Sequence, residues 1–207
     1  MATGPDEEHG RRLPSPIAFR PPRRFLRFRR SVRRDLDRLL ADLRGRARVK
    51  LHLGCGDKPI DGMVNCDLFS PEADLRMDCK DLGALRDTSV DLIESHHMLE
   101  HLSFADATAA LGEWQRVLKP GGYLILTCPD LDKIAKRWCR TPWGPKKKYM
   151  LQMLYGSQEH PGMFHRSGYN ADSLRELLEE RRFRLLYHFS SYPARPTPSL
   201  LTISLRE

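Results

Sequence analysis

No stretch of this 207-residue chain stays apolar for more than a few positions; Tyr123-Leu-Ile-Leu126 is typical. A membrane-spanning helix needs about 20 such residues, so none is expected. The five cysteines (Cys55, Cys66, Cys79, Cys128 and Cys139) form an odd set without a Cys-x-x-Cys pair. That argues against a disulfide scaffold or a zinc ribbon and for a reducing cytoplasm. The opening ten residues are polar and lack the apolar stretch of a secretory signal. Acidic residues are missing from positions 11–34, which hold ten arginines. Those ten charges exceed the net charge of +8 for the whole chain. The remainder is close to neutral, and the basic character belongs to an N-terminal arm. What the chain does have is 40% hydrophobic residues, enough for a core and too many for a wholly disordered polypeptide. The length fits one domain with an appendage.

Residues 1–22 contain five prolines and few large apolar groups, and read as a flexible tail. From Phe25 the apolar residues Phe28, Val32, Leu36, Leu39, Leu40 and Leu43 recur at steps of three and four. This predicts a basic amphipathic helix over about 23–45, with Gly45 as its stop. Its stripe could lie on the domain, or its arginines could rest on an anionic membrane surface or on nucleic acid, which would make the protein cytoplasmic but peripheral to the membrane. Beyond it, short apolar strands are expected near 49–53, 63–66, 74–77, 90–93, 123–128, 183–189 and 200–205. Helices are expected over 105–118, 131–139, 146–155 and 172–181. Strands alternating with helices imply an α/β fold with a mostly parallel sheet. The domain would run over 46–207, with an insertion at about 131–169 before the last helix.

The sharp turn Leu53-Gly-Cys-Gly56 follows the first strand, and Asp67 ends the second. Glycines there let backbone approach a ligand, and a carboxylate at the second strand's end suits the vicinal hydroxyls of a ribose. A dinucleotide site would add a third glycine opening a helix and an acid about 20 residues on. Here Asp57-Lys-Pro-Ile60 stands in that place, and Pro59 disfavours a long helix. A cofactor with a ribose but no pyrophosphate fits better.

Several segments taken in order resemble the class I S-adenosylmethionine-dependent methyltransferases over roughly 49–190. Leu51-His-Leu-Gly-Cys-Gly56 resembles the loop that wraps the methionine end of the cofactor, and Asn65-Cys-Asp67 the ribose-binding acid. Asp78-Cys79, Leu82 and Thr88-Ser-Val-Asp91 resemble the run beside adenine, with Gly83-Ala-Leu85 where Pro-Phe is usual. Trp114-Gln-Arg-Val-Leu-Lys-Pro-Gly-Gly-Tyr-Leu124 resembles the block before the fifth strand, physically a helix stop and a strand start. The short first loop, Ser95-His-His-Met-Leu-Glu-His101, Pro129-Asp130 and Tyr155-Gly-Ser-Gln158 with His160 and His165 are similar to a subgroup of small methyltransferases associated with cell-envelope sugar biosynthesis. The long Arg-rich arm departs from that subgroup. The resemblance implies a Rossmann-like methyltransferase fold, a mostly parallel seven-stranded sheet with helices on both faces. It implies S-adenosyl-L-methionine as cofactor, held by Leu53, Gly54, Cys55, Gly56, Asp67, Leu68, Asp78, Cys79 and His96.

Methyl transfer from a sulfonium is a direct displacement, helped by alignment and, for a hydroxyl acceptor, by a general base. His97, Glu100 and His101 follow the fourth strand and are the candidate catalytic set. In a helix they would share a face. The same set could ligate a metal, as an E-x-x-E-H motif does in ubiquinone-pathway and small-RNA 2′-O-methyltransferases, with His160 or His165 as a further ligand. It could equally just hydrogen-bond at the site's entrance, and the expectation is no metal. Asp130, Tyr155, Gln158, His160 and His165 in and before the insertion are the candidate substrate-binding residues. The expected acceptor is a sugar, glycolipid or related small metabolite. The alternatives are an RNA methyltransferase that uses the arm and a non-catalytic cofactor- or partner-binding protein.

Overall fold

Each strand is short and places alternate residues on opposite faces, so the sheet needs cover on both sides. The computed structural model describes residues 30–192 and 198–207, with side chains from Asp37 onward apart from positions 191 and 192. The tail expected over 1–22, and the first part of the basic helix, lie outside the described residues. The strands are β1 (Lys50–Leu53), β2 (Val64–Asp67), β3 (Leu75–Arg76), β4 (Val90–His96), β5 (Leu118–Pro129), β6 (Phe183–Tyr192) and β7 (Ser199–Arg206). They form one seven-stranded sheet in the order β3-β2-β1-β4-β5-β7-β6. Neighbours pair in parallel except β7, which is antiparallel to both β5 and β6. This is the mostly parallel Rossmann-like sheet that the sequence predicts.

One face is covered by α2 (Phe104–Val117) and α5 (Ala171–Glu180), whose Leu111, Trp114, Leu174 and Leu178 pack on Leu53, Ile93, Leu124 and Leu126. The other is covered by α1 (Arg30–Arg46), whose Leu40 and Leu43 meet Leu92, Ile125, Leu201 and Ile203. Neighbouring Leu92 and Ile93 thus serve different cores, as strand geometry requires. Ser103 caps α2 by accepting from the Asp106 amide, and Asn170 forms a reciprocal capping box with Ser173 on α5.

The insertion holds α3 (Leu131–Arg140), α4 (Pro145–Tyr155) and a 3-10 turn over Pro161–Met163. Three local outcomes differ from the sequence reading. α1 continues past Gly45 to Arg46, where Arg46 Nε donates to Asp42 at 2.8 Å. β4 runs to His96 because its polar end is compensated from α1, as described below. β5 begins at Leu118, with Lys119–Gly122 looped out between the pairs Val90–Leu118 and Leu92–Tyr123.

Candidate active site

The strand order reverses at β1, which continues to β2 on one side and has β4 on the other. In such sheets the ligand crevice lies at the carboxyl ends of these strands, here at Gly54 and at His97. The first loop is drawn tight by the Gly54 and Cys55 amides, which donate to the Cys66 carbonyl at 2.8 and 3.2 Å. Gly54 has φ +71, and a Cβ there would fall 2.2 Å from Met98 Cγ, so glycine lets β4's exit pack against the loop. Gly56 has φ +52 and open space where a Cβ would stand. Asp67 orders this region. Its Oδ2 accepts from the Gly56 amide at 3.0 Å, and Oδ1 accepts from the Phe69 and Ser70 amides at 2.7 and 2.9 Å. A carboxylate has about four acceptor positions, so three are used by the loop and roughly one is left for a ribose hydroxyl.

Leu53 is wholly buried beneath this turn, while Leu68 is exposed beside it. Asp78 accepts from the Lys80 amide at 2.9 Å. The carbonyl of Cys79 accepts from Trp114 Nε1 at 2.8 Å, which fixes the segment against α2. Burial pushes the Cys55 thiol up and the Cys79 thiol to about 12, so neither is a nucleophile. Arg116 donates to the Leu82 and Leu85 carbonyls and to Glu113 and Asp87. Lys119 holds Asp91 at 2.7 Å. The block from Trp114 is therefore a clamp on the 79–91 segment and not merely a helix stop, a role its motif spelling does not reveal.

At the exit of β4, His97 has φ +54, an uncommon conformation for a non-glycine residue. Its Nδ1 lies 3.3 Å from Glu100 Oε1, and its Nε2 lies 3.2 Å from Ser199 Oγ. Residues 99–101 form a 3-10 turn, with His97 outside it, so the shared helical face open to 97, 100 and 101 is not formed. Glu100 is buried, and neither carboxylate oxygen has an aligned hydrogen bond. Burial alone would raise its pKa; His97, then His101 and His165, outweigh this and hold it below the ordinary range. His101 and His165 meet edge to face with centroids 4.8 Å apart. Burial lowers the pKa of His165 and favours its neutral form.

The insertion closes on both loops. Its Arg166 and Ser167 amides donate to the Glu100 carbonyl at 2.8 and 3.1 Å. His160 packs on Phe69, just past Asp67, with ring centroids 5.3 Å apart. Gly162 lies so close to Phe69 that a Cβ would come within 2.6 Å of its ring. Tyr155 and Gln158 are exposed on this segment, linked by a Gln158 Nε2 donation to the Tyr155 carbonyl. Two expected site residues have different surroundings. His96 points to the α1 face, to Glu94 and Thr127, because strand alternation turns it away from its neighbour His97. Asp130 is buried as the cap of α3 and accepts from the Lys133 amide and Ser190 Oγ. Met98 and Ser199 belong to the site's surroundings and carried no signal in the sequence.

Residues 61–126 match the family model of a methyltransferase domain. No curated protein matches the sequence. Among solved structures, the fold is similar to a SAM-dependent methyltransferase from Methanosarcina mazei (18% identity, 76% of this chain and 91% of that chain, TM-score 0.54). It is similar to another from Archaeoglobus fulgidus (16%, 85% and 93%, TM-score 0.54). A third is 1,6-didemethyltoxoflavin-N1-methyltransferase from Burkholderia thailandensis, crystallised with 1,6-didemethyltoxoflavin and S-adenosylhomocysteine (15%, 84% and 77%, TM-score 0.57). The open Gly56 and the remaining acceptor position of Asp67 fit S-adenosylmethionine, which when bound supplies a methyl group on a sulfonium. The methyltransferase-domain match over 61–126 and the shared fold support S-adenosylmethionine-dependent methyl transfer.

Proposed function

We propose that this S-adenosylmethionine-dependent methyltransferase delivers its methyl group to a hydroxyl of a small polar acceptor, with a sugar or glycolipid as the substrate class. The observation that carries this reading is the insertion. It ties the Asp67 loop, through Phe69 and His160, to the Glu100 turn, and so brings imidazoles to the mouth of the crevice. Imidazole and amide groups suit a hydroxylated acceptor. Gly54, Cys55, Gly56, Asp67, Leu68, Asp78 and Cys79 are the cofactor-side residues in this reading. His97 and His101 are the candidates for taking the acceptor proton, with Glu100 holding His97 in place. Tyr155, Gln158, His160 and His165 form the acceptor side.

The test is methyl transfer from labelled S-adenosylmethionine to a panel of free sugars, glycolipids and short RNAs, with calorimetric titration of S-adenosylhomocysteine alongside. Transfer to a saccharide hydroxyl supports the reading. Transfer to RNA alone would overturn the acceptor class and give the Arg-rich arm a role in substrate binding.

A further inference from the structure

We propose that Glu100, His101 and His165 form a binding site for a divalent transition-metal ion of the zinc class. One ligand atom from each of the three residues lies within 4.8 Å of the other two. Bonds of about 2.0–2.1 Å in tetrahedral geometry put ligand atoms about 3.4 Å apart. Each side chain therefore needs an inward shift of less than about 1 Å.

The protonation pattern around the cluster is that of a ligand set. His101 Nδ1 lies 3.2 Å from the Phe164 carbonyl, and His165 Nδ1 lies 3.0 Å from the Met153 carbonyl. A carbonyl can only accept, so both Nδ1 atoms carry a proton, and Nε2 is the ring atom left to ligate a metal. A backbone carbonyl behind each ring is the usual way a metal-binding histidine is oriented. Between them, Glu100 presents two buried oxygens without aligned hydrogen-bond partners. A buried carboxylate with His97 Nδ1 3.3 Å from one oxygen and no aligned hydrogen bond calls for a cation.

Two imidazoles and one carboxylate favour zinc and its neighbours over magnesium. Three protein ligands leave a position open. Glu100 and His165 also line a small pocket with Leu131, Ile134, Met153 and Leu154. An acceptor oxygen entering there would reach that open position, an assignment that rests on the methyltransferase reading above. The set differs from the run 97–101 singled out in the sequence. The third ligand comes from the insertion, and with the metal bound His101 is a ligand, so His97, between Glu100 and Ser199, is the candidate base that is left.

The experiment uses the full chain, freed of metal by chelation and titrated with zinc chloride. Cobalt chloride serves as a spectroscopic probe, and S-adenosylhomocysteine binding is measured on the same samples. About one equivalent of zinc should bind, raise the unfolding midpoint and, as cobalt, give visible absorption bands. His165→Ala and Glu100→Gln should each weaken zinc binding by roughly tenfold or more, and His160→Ala should leave it unchanged. If Glu100→Gln does not fold, His101→Asn replaces it. Absence of zinc binding in the folded wild-type chain would overturn the site, as would binding unaltered by His165→Ala, and Glu100 would then pair with a protonated imidazole. Zinc binding without S-adenosylhomocysteine binding would keep the metal site and sink the methyltransferase reading; the reverse would sink only the site.

Discussion

Glu94 lies in the middle of the sheet with no exposure to solvent, a position where a carboxylate has to be compensated. Arg44 of α1 donates to both its oxygens at 2.6 Å, and His96 Nε2 lies 3.0 Å from Oε2. Burial alone would raise its pKa; the guanidinium and then the imidazole outweigh this and hold it at about 2, against an ordinary 4.5. A folded-state pKa lowered in this way gives stability that is complete above pH 4.5 and lost as the pH falls through about 2. His52 sits close by, 3.1 Å from Asn65 Oδ1, with its pKa lowered chiefly by burial. Because the unfolded chain takes up that proton more readily, it adds a loss of stability that starts below pH 6.5. Denaturant midpoints should fall as the solution is acidified from neutral to pH 2. Arg44→Ala should cost about 3 kcal/mol at neutral pH, the low end of the range for a broken buried pair because the guanidinium is 38% exposed. The deficit should shrink in acid as Glu94 takes up a proton. Equal midpoints for variant and wild type at pH 7 would show that another group compensates Glu94. Gly156 offers a second check at this scale. It has φ +78, and a Cβ would stand 1.7 Å from the Met163 carbonyl oxygen. Gly156→Ala should lower stability by about 1–3 kcal/mol. It should also reduce methyl transfer more than S-adenosylhomocysteine affinity, because the displaced loop leads into His165.

Arg116 shows how one element can hold another. From the last turn of α2 it bonds two carbonyls and two carboxylates of the segment beside the cofactor loop and of its own helix. Arg116→Ala should speed amide exchange across residues 80–89 and cost about 2 kcal/mol. Arg175→Ala removes an exposed pair with Asp172 and should cost less than about 0.5 kcal/mol. Similar exchange in both variants would mean that the segment is held by packing alone. Periodicity made the elements themselves readable. Ala107, Leu111 and Trp114 mark α2, and Leu174 and Leu178 mark α5, within a residue or two of their observed ends. The end of β4 was hidden because Glu94, Ser95 and His96 look like loop residues, and the partner that permits them comes from α1, 50 residues earlier in sequence. Asp130 shows the converse. The resemblance suggested substrate contact for it; its capping of α3 is a local contact with the Lys133 amide, whereas its bond to Ser190, 60 residues on, depends on chain pairing that no local pattern encodes.

At the scale of the whole molecule, the candidate site is assembled from three parts of the chain that are far apart in sequence: the 54–70 loops, the exit of β4 and the insertion. Glycine placement made the first legible, and clustered histidines marked the second. The sequence offered His160 or His165 as a companion to Glu100 and His101, and which of the two meets them is decided only when the insertion folds back. The opposite face depends on α1 in a similar way. Its stripe could have served a membrane or the domain, and in the described half Leu40 and Leu43 are buried against Leu92, Ile125 and Ile203. Arg44, on the same helix, neutralises the carboxylate beneath it. Removing the segment through Arg46 therefore exposes an apolar face and strands a buried charge together, two losses of the kind that each cost several kcal/mol. Most small domains have only 5–15 kcal/mol in reserve. Deletion of residues 1–46 should abolish the cooperative thermal transition followed by circular dichroism. Deletion of residues 1–22 should leave its midpoint in place, because five prolines and few large apolar groups give that segment little to pack with. A cooperative transition at the wild-type midpoint after the longer deletion would show that the sheet closes that face without α1. The helix would then be free for the lipid or nucleic-acid surface that its arginines suit.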